Sequence, residues 1–129
     1  MRFLFATAAF FAAAAFAFPL TQRQSSTTCG KNRYTTKQVN AALNQGLNYY
    51  YDDEQVGSDD YPHTYNNYED FEFPVHGPYL EFPIKETGIY TGGSPGADRV
   101  VFNEDGEYAG TITHTGASGD DFLGCSGTH

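Results

Sequence analysis

Apolar positions along the chain change their period once, near residue 56. Upstream of it, Val39, Ala42, Leu43, Gly46, Leu47, Tyr50 and Tyr51 fall at i, i+3, i+4, i+7, i+8, i+11 and i+12. That is one stripe at helical period, and it predicts a helix over 35–51. Thr35, three residues before Gln38, forms a capping-box pattern at its start. Asp52-Asp53-Glu54 closes it, where acidic charge opposes the helix dipole. After Val56-Gly57 the helical spacing is gone. Short β-type runs, Tyr68–Val75, Pro78–Ile84, Asp98–Asn103 and Tyr108–Thr115, alternate with turn residues at 76–77, 91–96 and 104–106. The gaps are too short for a crossover helix, so the strands should pair antiparallel. The fold class predicted is α+β, one α-helix packed on a twisted antiparallel β-sheet, with the helical stripe covering one sheet face.

The first 17 residues follow another rule. Arg2 precedes an Ala/Phe-rich run ending in Ala15-Phe16-Ala17, the small-x-small pattern of a cleaved secretory signal peptide. Uncleaved, the run would be a membrane anchor; the cleavage pattern and Pro19 favour removal and a secreted, extracellular product. No second apolar run long enough to span a membrane follows. Residues 18–28 are polar and irregular and read as a short flexible leader or pro-segment, with Arg23 as a second processing point. Residues 29–129 then form a single domain of about a hundred residues. A core of that size is marginal unless stapled. Cys29 and Cys125 are the two cysteines, and a secreted context permits their pairing. The loop spans 96 positions (125 − 29), and in the chain-entropy model closing it contributes roughly 4–5 kcal/mol.

The formal net charge is −9, and losing Arg2 makes it one unit more negative. Such acidity opposes long-range attraction to a nucleic-acid backbone. Any nucleic-acid reading must therefore rest on a local site. Strand period 2 puts Tyr79 and Glu81 on one face, opposite Leu80, Phe82 and Ile84. Arg99 and Val101 share a face in the next strand, and Ile112 and His114 in the last. If Glu81, Arg99 and His114 point to one side, they make a carboxylate, a guanidinium and an imidazole suited to acid–base attack on a phosphodiester. The bland alternative is a surface ion pair and a solvated histidine. Residues 61–69, which include His63, are dense in Tyr and Asn and end in Glu69. Aromatics can stack on a base, and a carboxylate can accept guanine's N1–H and N2–H. The alternative is a loop using Asn for left-handed turns and Tyr for packing. Gly116–Gly119 lacks the lysine and helix of a phosphate loop, Ser118 has no nucleophile-elbow context, and the four histidines show no metal spacing. His76 and His129 read as bystanders.

Four blocks together resemble the secreted fungal guanyl-specific ribonucleases: Tyr-Pro-His-x-Tyr-Asn-Asn-Tyr-Glu (61–69), Pro-Tyr-x-Glu-Phe-Pro-Ile (78–84), Gly-Gly-Ser-Pro-Gly-Ala-Asp-Arg-Val-Val-Phe-Asn-Glu (92–104) and Ile-Thr-His-Thr-Gly-Ala-Ser-Gly (112–119). The likeness runs from about Cys29 to Cys125. It implies cleavage of single-stranded RNA 3′ to guanosine, through a 2′,3′-cyclic phosphate that is then hydrolysed to a 3′-phosphate. It implies no metal and no cofactor, and a monomer that does not act on DNA. By position, Glu81 resembles the general base, His63 its helper and His114 the general acid. Tyr61 and Arg99 resemble the phosphate-stabilising pair, and Phe122 the apolar wall beside them. For guanine, Tyr65 and Tyr68 resemble stacking plates, Asn66 and Asn67 main-chain contacts, Glu69 the acceptor, and Asp120 a residue whose main-chain carbonyl accepts from the base. The chain departs from the family pattern at Asp70, where Gly is common; at Asp120, in place of Asn; at Arg33, where many relatives carry a Cys; and at Phe82, in place of Trp. The Arg33 departure puts rigidity of the N-terminal hairpin in doubt. A catalytically silent RNA-binding relative would have no need to keep Glu81, Arg99 and His114 together.

Overall fold

A computed structural model describes residues 26–129. The signal-peptide reading of 1–17, and the leader reading of 18–25, lie outside the described residues. A short hairpin, β1 (Thr27–Cys29) and β2 (Asn32–Tyr34), leads into helix α1 (Thr36–Tyr51). There follow β3 (His63–Tyr65), β4 (Tyr79–Pro83), β5 (Asp98–Asn103), β6 (Tyr108–Thr113) and β7 (Leu123–Gly124), which form one antiparallel sheet in that order.

The helix starts where the capping box places it. Thr35 accepts from Gln38 N–H while the Gln38 side chain accepts from Thr35 N–H, which satisfies two donors that the first turn leaves open. Val39, Ala42, Leu43 and Gly46 are buried. Gly46 is there for space, since a Cβ at that position would come 2.9 Å from the Phe102 ring and 3.0 Å from Phe82. Leu47 and Tyr50 are partly buried against the same core, and only the last residue of the stripe falls outside it. Tyr51 is exposed, and its hydroxyl donates to the Glu104 carbonyl.

Strand alternation sorts the sheet as expected. Leu80, Phe82, Ile84, Val100 and Phe102 pack under the helix in one apolar cluster. Tyr65, Val101, Ile112 and Phe122 form a second cluster on the other face. The Cys29–Cys125 disulfide is present and ties β1 to the chain after β7.

Three expectations need correction. Thr27 and Thr28, read as leader, belong to β1, and Thr27 is buried. Tyr68–Val75 is not a strand. Asn67 and Asp70 take positive φ (56° and 64°), and the Asn67 side chain both accepts from Phe71 N–H and donates to its carbonyl. Those groups are therefore spent locally, Pro74 has no N–H, and Glu72 N–H goes to the His129 carbonyl. The aromatic alternation there serves packing, with Phe71 and Phe73 set against the second cluster. Conversely β3 and β7, too short to show a period, form because β4 and β6 offer them edges. The hairpin with Arg33 is anchored by Asp98, a buried carboxylate that accepts from Asn32 Nδ2 (2.9 Å), Thr113 Oγ1 (2.6 Å) and the Tyr34 hydroxyl.

Candidate active site

The open face of the sheet carries the ionisable residues. In register, His63 stands opposite Glu81, Glu81 opposite Val101, and Arg99 opposite Ile112. Glu81 and Arg99 are thus diagonal neighbours on adjacent strands, within reach of each other on one face. His114 lies just past β6, with its N–H bonded to the Ala97 carbonyl, two residues from Arg99. Its ring stacks on Phe122, which clusters with Val101 and Ile112 on the face of Glu81 and Arg99, so imidazole, carboxylate and guanidinium share that side.

Glu81 and Arg99 are both buried, at 7% and 3% exposure. The Glu81 carboxylate lies 3.3 Å from His63 Nε2 through one oxygen and 3.3 Å from Arg99 Nε through the other. Arg99 Nη1 donates to the Gly96 and Asp98 carbonyls, and Nη2 donates to the Tyr61 hydroxyl at 2.9 Å. Its Nε faces Glu81 at ion-pair distance without the alignment of a hydrogen bond, so that buried donor is unsatisfied. A buried N–H with no hydrogen bond is costly. Burial raises the Tyr61 phenol above its ordinary range, against the opposing pull of Arg99, so its hydroxyl stays neutral and keeps a proton to donate.

Each histidine has its tautomer set by a main-chain carbonyl. His63 Nδ1 is 2.8 Å from the Asp59 oxygen, and His114 Nδ1 is 2.8 Å from the Asp121 oxygen. A carbonyl only accepts, so Nδ1 carries a proton in both rings; Nε2 of His63 is turned to Glu81, and Nε2 of His114 is left for chemistry. The hydrogen bond to Glu81 holds His63 above the ordinary histidine range, although burial works against it. Both rings are also held flat by aromatics. Tyr61 stacks on His63 with centroids 4.5 Å apart, and Phe122 on His114 at 4.0 Å.

The expected base pocket lies beside this cluster. Glu69 accepts from the Tyr65 hydroxyl and, at 3.0 Å, from Phe122 N–H. Asn67 uses its side chain on Phe71 and holds a left-handed backbone. Asn66 and Asp120 are exposed. The two expected stacking plates differ: Tyr68 is 87% exposed, whereas Tyr65 is buried, edge-on to Phe73 and Phe122. No residue type or spacing marks Asp59 and Asp121 as supports of the two imidazoles. What they contribute is a carbonyl, which every residue carries.

A family model described as ribonuclease matches residues 22–126. Guanyl-specific ribonuclease F1 of Fusarium fujikuroi is 64% identical over 115 residues, covering 89% of this chain and 88% of that protein. Extracellular guanyl-specific ribonuclease Fl1 of Gibberella baccata is 61% identical over 77% of this chain and 94% of its own. Guanyl-specific ribonuclease T1 of Aspergillus oryzae is 54% identical, covering 83% of each. Among solved structures, the ribonuclease from Hericium erinaceus (RNase He1) superposes with a TM-score of 0.59 at 36% identity, covering 78% of this chain and 98% of that one.

Proposed function

The chain belongs to the fungal guanyl-specific ribonuclease family, and from that premise we propose that its open sheet face cleaves single-stranded RNA on the 3′ side of guanosine. The protein is a secreted endoribonuclease. The Glu81 carboxylate takes the proton of the ribose 2′-OH, and the 2′ oxygen attacks phosphorus. The P–O5′ bond breaks, and His114, charged with a proton on Nε2, delivers it to the leaving 5′ oxygen. A 2′,3′-cyclic phosphate remains. Water then adds to it with the two groups in exchanged roles and leaves a 3′-phosphate. Arg99 and the Tyr61 hydroxyl hold the phosphoryl oxygens, where charge builds in the transition state. Phe122 walls off water. His63, held in its protonated form by Glu81, orients that carboxylate.

Glu69 supplies the acceptor pair for guanine N1–H and N2–H, with Tyr65 and Tyr68 flanking the base and Asn66, Asn67 and Asp120 offering main-chain groups. The attack needs a 2′-OH, so DNA is not a substrate. Nothing in the mechanism requires a metal, a cofactor or a second copy of the chain, and the enzyme acts as a monomer. A net charge of −9 suits a site that captures one base by stacking and edge hydrogen bonds and leaves non-specific RNA affinity weak.

The observation that carries this reading is the unsatisfied buried Nε of Arg99 beside Glu81, on the face that His114 shares. Digestion of a mixed-sequence RNA, with cut sites and terminal phosphates identified, tests it. The expected products end in guanosine 2′,3′-cyclic phosphate and later 3′-phosphate. Cuts without base preference, or 5′-phosphate ends, would sink it.

A further inference from the structure

Glu69 touches more than a base could explain. The segment 115–122 joins β6 to β7 and carries two of His114's supports, the Phe122 ring and the Asp121 carbonyl. Within it the hydrogen bonds are local: Thr115 N–H to Thr113 Oγ1, Ala117 N–H to the His114 carbonyl, and Asp121 N–H to the Ser118 carbonyl. Among the described residues, its hydrogen bond to a distant part of the chain is Phe122 N–H to Glu69, 53 positions away. Glu69 is itself held by the Tyr65 hydroxyl, and the Tyr65 ring meets the Phe122 ring edge-on at 5.8 Å. A chain of contacts thus runs from the base acceptor to the imidazole: Glu69 to Phe122 N–H, and the Phe122 ring to His114.

We infer that Glu69 is a positioning residue for His114, pinning the 115–122 segment so that the Phe122 ring and the Asp121 carbonyl hold the imidazole at the phosphate. This rests on the reading of His114 as general acid. Each carboxylate oxygen keeps a further lone pair, so guanine's donors can add without displacing Phe122 N–H or the Tyr65 hydroxyl. One carboxylate then serves both recognition and proton delivery. A short displacement of a catalytic group far from its support is enough to slow a reaction severely.

The two jobs separate on a substrate without a base. An RNA carrying a single abasic ribonucleotide keeps the 2′-OH and the phosphodiester but offers Glu69 nothing to read. On that substrate Glu69→Ala should lower kcat about tenfold, with little change in KM. Glu69→Gln should recover most of the loss, because its amide oxygen still accepts from Phe122 N–H. On guanosine substrates both variants should also raise KM. In the uncomplexed protein, Glu69→Ala should speed hydrogen exchange at the Phe122 amide and move the His114 titration followed by NMR. Glu69→Gln should do so less.

Equal kcat for wild type and Glu69→Ala on the abasic substrate, with the Phe122 amide and His114 titration unmoved, overturns the inference and leaves guanine recognition intact. A His114→Ala protein that still cleaves guanosine substrates at the wild-type rate overturns the reading beneath it instead. NMR dispersion of the core methyl groups checks that each variant is folded.

Discussion

The two faces of the five-stranded sheet alternate residue by residue along the same strands, yet they are built for different ends. Beneath the helix, Leu80, Phe82, Val100 and Phe102 close on Val39 and Leu43. Burial of this kind drives folding, each large side chain contributing about 1.5–3 kcal/mol. On the other face the intervening positions include Glu81 and Arg99, a carboxylate and a guanidinium buried side by side. Such a pair loses in desolvation much of what it gains in attraction, and apolar residues of similar volume would often be as stable. The helix face is thus made for stability, and the proposed function gives the groups on the open face their value in reactivity. Substitutions on the two faces should therefore separate activity from stability.

The widest separation is expected at His114. Its replacement by Ala should lower cleavage of a defined GpC-containing RNA by about a thousandfold or more while the thermal midpoint stays close to wild type; unchanged turnover would remove it as the acid. On the opposite face, Phe82→Ala should cost about 3–5 kcal/mol in urea unfolding, with turnover per folded molecule preserved. A fall in activity matching that of His114→Ala would show that the faces are not separable. Asp98 lies between these extremes. Asp98→Ala leaves the donors of Asn32, Tyr34 and Thr113 without their shared acceptor, at about 2–4 kcal/mol. Hydrogen exchange should show the β1–β2 hairpin opening first, and a uniform loss of protection across the sheet would contradict that anchoring.

The smallest effect concerns His63. Its folded pKa is raised above the ordinary value of 6.5, chiefly by the hydrogen bond to Glu81. The stability from this contact is therefore complete below about 6.5 and fades as pH climbs through the raised folded value. Unfolding curves for wild type and His63→Gln, measured from mildly acidic to alkaline pH, should converge as pH rises. A gap that widens instead would reverse the sign.

Much of this architecture could be read from the chain because it is periodic. The stripe from Val39 to Tyr50 and the alternation around Glu81, Arg99 and His114 have a local cause, side-chain direction within one element. Where local cues compete, reading failed. The Phe71–Phe73 alternation looked like a strand, but Asn67 had taken the neighbouring backbone groups. His63–Tyr65 looked like a loop, but β4 supplied an edge for it. The proposed base site was legible only in part: candidate residues could be named, but the burial of Tyr65 and the exposure of Tyr68 depend on the second apolar cluster.

By itself the sequence determined which residues share a face, where the helix begins, and which two cysteines were available to close the fold, since these follow from spacing and residue type. The tertiary structure alone decided which main-chain carbonyl holds Nδ1 of His63 and of His114, that Arg99 keeps a buried donor without a hydrogen bond, and that Glu69 reaches the Phe122 backbone. Those outcomes rest on main-chain groups and on register between distant segments. Every residue carries the same carbonyl and, proline apart, the same N–H, so no residue type announces them in advance.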